Sequence, residues 1–145
     1  MIGMAPSIVE KWGQAVAERG FTQVPNYLLQ INHFLEPTQR LGAVELLVLI
    51  QLVGTWWKRN EMPFPSMKTL AIRSGISERQ IQRTIKRLEE LRLIERVRRG
   101  EGLMTSNAYN MLPLADLLNK VSEQYPNSRP RKIKGAVTRR SKLTF

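Results

Sequence analysis

Two helix signals separated by a single glycine turn, over residues 63–91, constrain this chain more than any other feature of its sequence. Pro63-Phe64-Pro65 forms a proline lead-in, and Ser66 is placed to cap the helix that Met67-Lys68-Thr69-Leu70-Ala71-Ile72-Arg73-Ser74 can form. Gly75 then stands where the chain must turn through a positive φ. Ile76-Ser77-Glu78-Arg79-Gln80 starts a second helix, with Ser77 and Gln80 at capping-box spacing and Ile76 as a staple residue. Along that helix Ile81, Ile85 with Thr84 beside it, Leu88 and Leu91 recur at helical spacing and predict a buried stripe. Arg79, Gln80, Gln82, Arg83, Lys86, Arg87 and Glu90 are left off the core.

The residue types on that outward set suit nucleic acid. Arginine can offer two parallel donors to a guanine edge, glutamine can pair an adenine edge, and lysine or arginine can reach phosphate oxygens. Arg79, Gln80 and Arg83, with Gln82 beside them, are the candidates for reading base edges. Lys68, Thr69, Lys86, Arg87, Arg98 and Arg99 are the candidates for phosphate, and Ser77 and Arg96 complete the expected DNA-contact residues. A merely solvated helix would more usually alternate Glu with Lys at i, i+4, whereas the first three turns here carry four basic groups against Glu78 alone. A solvated basic face is the bland alternative.

After the second helix, Leu93-Ile94-Glu95-Arg96-Val97-Arg98-Arg99 has strand character and Gly100-Glu101-Gly102 can turn. Asn107-Ala108-Tyr109-Asn110-Met111-Leu112 can return as the partner strand. Taken together, Phe64-Pro65-Ser66, Leu70-Ala71, the run Ser74-Gly75-Ile76-Ser77-Glu78-Arg79-Gln80-Ile81-Gln82-Arg83, Leu88-Glu89, Leu91, Leu93-Ile94 and Asn107-Ala108-Tyr109 resemble the winged helix-turn-helix family. The resemblance covers residues 38–112. It looks closest to versions found in bacterial, phage and plasmid proteins, both transcription regulators and replication initiators or DnaD-type primosome proteins. In that subgroup a segment like Gly20-Phe21-Thr22-Gln23-Val24-Pro25-Asn26-Tyr27-Leu28-Leu29 often precedes the first helix of the domain. The resemblance implies a three-helix core with a β-wing, the helix from Ser77 in the major groove, and a wing over residues 96–101, including Arg96, against phosphate or the minor groove.

The rest of the chain reads as flanking structure. Ser7 is a plausible cap for a helix over residues 7–19 whose Ile8, Trp12, Ala15 and Val16 share a face, with Gly20 as its stop. Residues 21–29 read as extended or irregular because Pro25 biases Val24 away from the helical region. His33 stands alone and reads as a packing or capping residue. Pro37-Thr38-Gln39-Arg40 opens a long central helix to about Asn60, with Leu46, Leu49, Ile50, Val53 and Trp57 on its main stripe and Leu47, Val48, Leu52 and Trp56 widening it. In an apolar helix its two tryptophans read as core in preference to a ligand platform. Pro113 opens a last helix with Leu114, Leu117, Leu118 and Val121 on one face, which either closes the core or joins the Trp12 helix in a dimer surface. The expected organisation is therefore a mainly α chain with a small β-hairpin. Residues 1–37 form an N-terminal helix and extended segment, 38–112 the winged helix-turn-helix domain, 113–125 a C-terminal helix and 126–145 a flexible basic tail.

Charge supports the same division. Of the net +11, residues 1–65 contribute 0, residues 66–100 contribute +6, residues 101–128 contribute −2 and residues 129–145 contribute +7. Two positive regions separated in sequence favour a polyanionic partner. The tail, with its two prolines and few large apolar residues, can contact DNA or RNA, solubilise the chain or begin a linker. The chain has no cysteine and one histidine, which excludes disulfides, thiolate nucleophiles, cysteine-ligated metals and a His-rich metal centre. No phosphate-binding glycine loop, His-anchored nucleophile or paired carboxylates are recognisable, so neither enzyme activity nor a cofactor is expected.

Met1-Ile2-Gly3-Met4-Ala5-Pro6 lacks the pattern of a secretory signal, and the apolar run over residues 46–57 is shorter than the ~20 residues a membrane span needs. A cytoplasmic, nucleoid-associated protein is expected. Its leading function is sequence-specific binding of double-stranded DNA as a transcription regulator, as a homodimer because one recognition helix reads few base pairs. The alternative is a plasmid or phage replication-initiation or primosome protein that recruits partners through the N-terminal helix or the tail. A general nucleic-acid binder working through residues 129–145 is a third reading. No effector is legible, but the space between the Trp12 helix and the central helix is where one would sit.

Overall fold

Helix α4, Ala43–Gly54, is the most apolar helix of the chain and buries Val48, Leu49 and Leu52. The computed structural model describes residues 6–100 and 106–127. Expectations for residues 1–5, the Glu101-Gly102 turn and the tail beyond residue 127 lie outside them. Around α4 the order is α1 (Pro6–Trp12), α2 (Gln14–Glu18), α3 (Asn26–Leu29), then α5 (Met67–Ser74), α6 (Glu78–Glu90), strands β1 (Glu95–Arg99) and β2 (Ser106–Asn110), and α7 (Leu112–Gln124). Helix α4 packs on both α5 and α6, and the core gathers Leu49, Leu52, Leu70, Ile81, Ile85 and Leu88. The architecture is mainly helical with one antiparallel hairpin, as the sequence led us to expect.

The central helix is shorter at both ends than its apolar pattern implies. Residues Pro37–Gln39 form a separate 3-10 turn, and Arg40 is extended. The cause is tertiary. The Asn32 side chain accepts the Leu41 N–H at 2.7 Å and donates to the Leu41 carbonyl at 2.8 Å, holding that residue out of a helix. The helix instead starts after Gly42, whose N–H donates to Glu45 Oε1 at 2.8 Å. At the far end the Thr55 hydroxyl donates back to the Leu52 carbonyl and the chain leaves the helix. Trp56 is therefore half-buried and Trp57 is 85% exposed, its indole N–H donating to the Gly54 carbonyl. Trp57 does not belong to the buried stripe, and Leu47 is also exposed.

The N-terminal helix is also revised. Gly13, at φ +89°, breaks it into α1 and α2, and Ser7 lies inside α1 rather than capping it. The face expected to bury does not, since Trp12 is 54% exposed and Ala15 and Val16 are exposed, while Ala17 is buried. Residues 26–29 are helical where an extended segment was expected. Pro25 restricts Val24 behind it, but its own φ of −62° suits the start of α3. Helix α3 is fastened to the end of α7 by the Tyr27 hydroxyl donating to the Tyr125 carbonyl at 2.6 Å, with Phe34 stacked between the two rings. His33 is half-buried and meets Phe34 edge-on, a packing role.

Helix α7 buries Leu114 and Val121 on the core. Strand β2 stops at Asn110, two residues before the expected end at Leu112. There the Asn110 side chain accepts the Leu112 N–H, and Pro113 follows in the first turn of α7. No helix among the described residues is long and apolar enough to cross a membrane.

Candidate nucleic-acid interface

Local signals set α5, the turn and α6. The Ser66 hydroxyl accepts the Thr69 N–H at 3.0 Å and starts α5. Gly75 takes φ +69° and ψ +31°, and the Ile76 N–H reaches back to the Ala71 carbonyl, closing the helix in the manner that favours glycine. The Ser77 hydroxyl accepts the Gln80 N–H at 3.1 Å and starts α6. Ile81, Thr84, Ile85, Leu88 and Leu91 are all buried as the spacing predicts.

With one face of α6 committed to the core, the opposite face is determined by geometry. At about 100° per residue, Arg79, Gln82, Arg83, Lys86 and Glu90 fall within a wedge of roughly 100° directly opposite the buried stripe, and all five are exposed. Three cations and one amide stand there with a single carboxylate at the far end. Gln80 and Arg87 lie on the boundary between the faces and are half-buried.

Arg87 is turned onto the protein. Its Nη2 donates to the Thr38 carbonyl at 3.1 Å and its Nε lies 3.9 Å from Glu45 Oε2, tying α6 to the segment before α4 and to the first turn of α4. Two other candidates are engaged as caps: the Ser77 hydroxyl holds α6, and the Thr69 hydroxyl accepts from Ser66. Lys68 is exposed on α5.

In the hairpin, Glu95 pairs with Asn110, Val97 with Ala108 and Arg99 with Ser106. Alternation puts Arg96 and Arg98 on one face and Glu95, Val97 and Arg99 on the other. Arg96 is half-buried and both its Nε and Nη2 donate to Glu89 Oε1 on α6, an ion pair that raises its pKa above the ordinary arginine value. It braces the wing against α6. Arg98 and Arg99 are exposed, and the Arg99 guanidinium lies 4.1 Å from the centre of the Phe64 ring. Phe64, named in the sequence only within the proline lead-in and the family resemblance, and the 71% exposed Ile72 are two exposed apolar side chains that the sequence reading did not count among the contact residues. Periodicity marks what is buried, and it gives no signal for an exposed apolar contact residue at either position.

Tyr109, 1% exposed beneath Arg96, has its phenol pushed above the ordinary 10.0 by burial, against the opposing pull of the Arg96 charge and a hydrogen bond with Asn107. The folded state thus binds the phenolic proton more tightly than the unfolded chain. Its stabilisation is complete below about pH 10 and is lost as pH rises through the folded-state pKa. We expect urea unfolding midpoints to fall above pH 10, and Tyr109→Phe to make that fall shallower. Equal slopes for the two proteins would reject this coupling.

A separate groove of about 1170 Å³ lies between residues 20–25, the end of α4 and α7, bordered by Phe21, Val53, Trp56, Trp57 and Leu118. None of the candidate DNA-contact residues lines it. Ile8 of α1 borders it, so it adjoins the place between the Trp12 helix and the central helix picked out from sequence. Among the described residues no three His, Asp or Glu side chains are grouped to hold a metal ion.

No curated protein and no solved structure matches this chain. Residues 39–94 match a family model described as a helix-turn-helix domain, a family that suggests DNA binding and is generally non-enzymatic. The match covers α4, α5, the Gly75 turn, α6 and the residues leading into β1. With the antiparallel hairpin that follows the three helices, this helix-turn-helix domain fits the winged helix-turn-helix family of DNA-binding proteins.

Proposed function

We propose that the protein binds double-stranded DNA sequence-specifically and acts as a transcription regulator, with α6 in the major groove and the wing on phosphate or the minor groove. The observation that carries this reading is the exposed cluster Arg79, Gln82, Arg83 and Lys86 opposite the buried stripe of α6. Arg79, Arg83 and Gln80, with Gln82 beside them, read base edges, and Lys68, Lys86, Arg98 and Arg99 take phosphates. Ser77, Thr69, Arg87 and Arg96 serve the same surface from behind, through the caps and ion pairs that orient α6 and the wing. No catalytic step and no cofactor form part of this function, and its setting is the cytoplasmic nucleoid.

One α6 reads only a few base pairs, so the working form is a homodimer on half-sites about 34–36 Å apart. The exposed Trp12 and Val16 favour the N-terminal helices as the protein-contact surface. The test is selection of sheared genomic and mobile-element DNA by the purified chain near 0.2 M salt with competitor DNA, where the nonspecific electrostatic contribution is suppressed. Recovery of a palindromic site upstream of a gene is the expected result. Repeats clustered beside a replication origin would replace the regulator reading with replication initiation, and uniform recovery of fragments would reject a sequence-specific reader.

A further inference from the structure

We propose that Phe64 is a positioning residue of this DNA-binding surface, its ring holding the Arg99 guanidinium at the base of the wing tip where it meets a phosphate. The inference rests on the DNA-binding reading and adds to it a residue outside the helices and the wing. Phe64 is 60% exposed, so its burial supplies little reason for a large apolar ring at this place. What the ring does touch is Arg99, whose guanidinium carbon stands 4.1 Å from the ring centre. Stacking on an aromatic face leaves the in-plane N–H donors of an arginine at the ring's edge, where they remain available to phosphate oxygens.

The segment bearing Phe64 is itself fixed at both ends. On one side the Tyr109 N–H of β2 donates to the Pro63 carbonyl at 2.9 Å, stitching the loop to the hairpin that carries Arg99. On the other side Ser66 caps α5. Phe64 thus sits on a short bridge between the wing and the helix-turn-helix. Strand alternation leaves Arg99 as the arginine of β1 that reaches this ring, because Arg96 and Arg98 lie on the other face and Arg96 is held by Glu89. Without the ring, a long side chain at the strand end would have to be ordered at the moment of binding.

The experiment measures duplex affinity of the full chain, on its selected site and on a shuffled duplex, for wild type, Phe64→Leu, Phe64→Tyr, Arg99→Ala and the Phe64→Leu/Arg99→Ala double variant. Arg83→Ala serves as the control for the DNA-binding reading. Melting curves accompany each protein to show that it is folded. Phe64→Leu keeps apolar bulk but removes the ring face, and is expected to weaken both duplexes by about two- to fivefold. Phe64→Tyr restores wild-type affinity. In the Arg99→Ala background Phe64→Leu has no further effect, the signature of acting through that arginine. Wild-type affinity in folded Phe64→Leu, additive losses in the double variant, or failure of Phe64→Tyr to rescue would each overturn the proposal. If the wild-type chain binds neither duplex, the DNA-binding reading falls with it. If wild type binds and Arg83→Ala loses site preference while Phe64→Leu does not weaken binding, only the role of Phe64 is lost.

Discussion

Replacing Arg83 by alanine is expected to cost about 1–3 kcal/mol in binding to the selected DNA site and to relax base preference at one position of it. Arg83 stands on the outward wedge of α6, one turn from Arg79 and next to Gln82 and Lys86, and no protein carboxylate pairs with it among the ion pairs of the described residues. Its guanidinium can therefore place two parallel donors on a guanine edge without first breaking an internal bond. Lys86→Ala provides the contrast, because a phosphate contact weakens all sequences alike and lowers the slope of log K against log salt by roughly one. Dissociation constants on the selected and shuffled duplexes at a fixed salt concentration separate the two effects. A loss for Arg83→Ala of the same size on both duplexes would show that Arg83 supplies charge and does not read a base.

Arg87 and Arg83 illustrate how much of this surface was legible in the sequence. Both are arginines on one helix, four residues apart, and composition makes them equivalent. Only the fold shows that Arg87 lies at the edge of the buried stripe and is turned onto the Thr38 carbonyl and Glu45, partners 49 and 42 positions away. Arg96 is similar, since its partner Glu89 belongs to a different element. Where a signal was local, sequence reading and structure coincide: the Ser66 and Ser77 caps, the left-handed Gly75 and the whole buried stripe of α6 depend on residues within a turn of one another.

Where the deciding partner was distant they diverge. The expected start of the central helix at Pro37 depended on periodicity alone, and the Asn32 amide overrides it. The expected burial of Trp12 and Trp57 assumed a packing partner for each apolar face, and neither side chain has enough around it to be covered. Arg92, at φ +59°, occupies the left-handed conformation just beyond α6 that glycine usually fills, so the end of that helix carried no glycine signal.

Ile85→Ala is expected to destabilise the fold by about 2–5 kcal/mol, a large part of the roughly 5–15 kcal/mol that holds a domain of this kind together. Ile85 is fully buried at the centre of the α6 stripe, within the cluster that contains Leu49 of α4 and Leu70 of α5. Truncation removes the transfer free energy of its lost carbons and leaves a cavity that surrounding helices can only partly close. Ile85→Val, which removes one carbon, should cost about 0.5–1.5 kcal/mol by the same reasoning. Urea unfolding followed by circular dichroism gives both values, and a loss below 1 kcal/mol for Ile85→Ala would mean that α6 is not packed by this face.

Because Arg83 lies opposite Ile85 on the same helix, the pair makes a stricter test than either alone. Arg83→Ala should move the dissociation constant and leave the unfolding free energy within about 0.5 kcal/mol. Ile85→Ala should move the unfolding free energy and reduce DNA binding only as far as it depletes the folded population. The reverse pattern would exchange the two faces of α6, and the assignment of one to the core and the other to DNA could not stand.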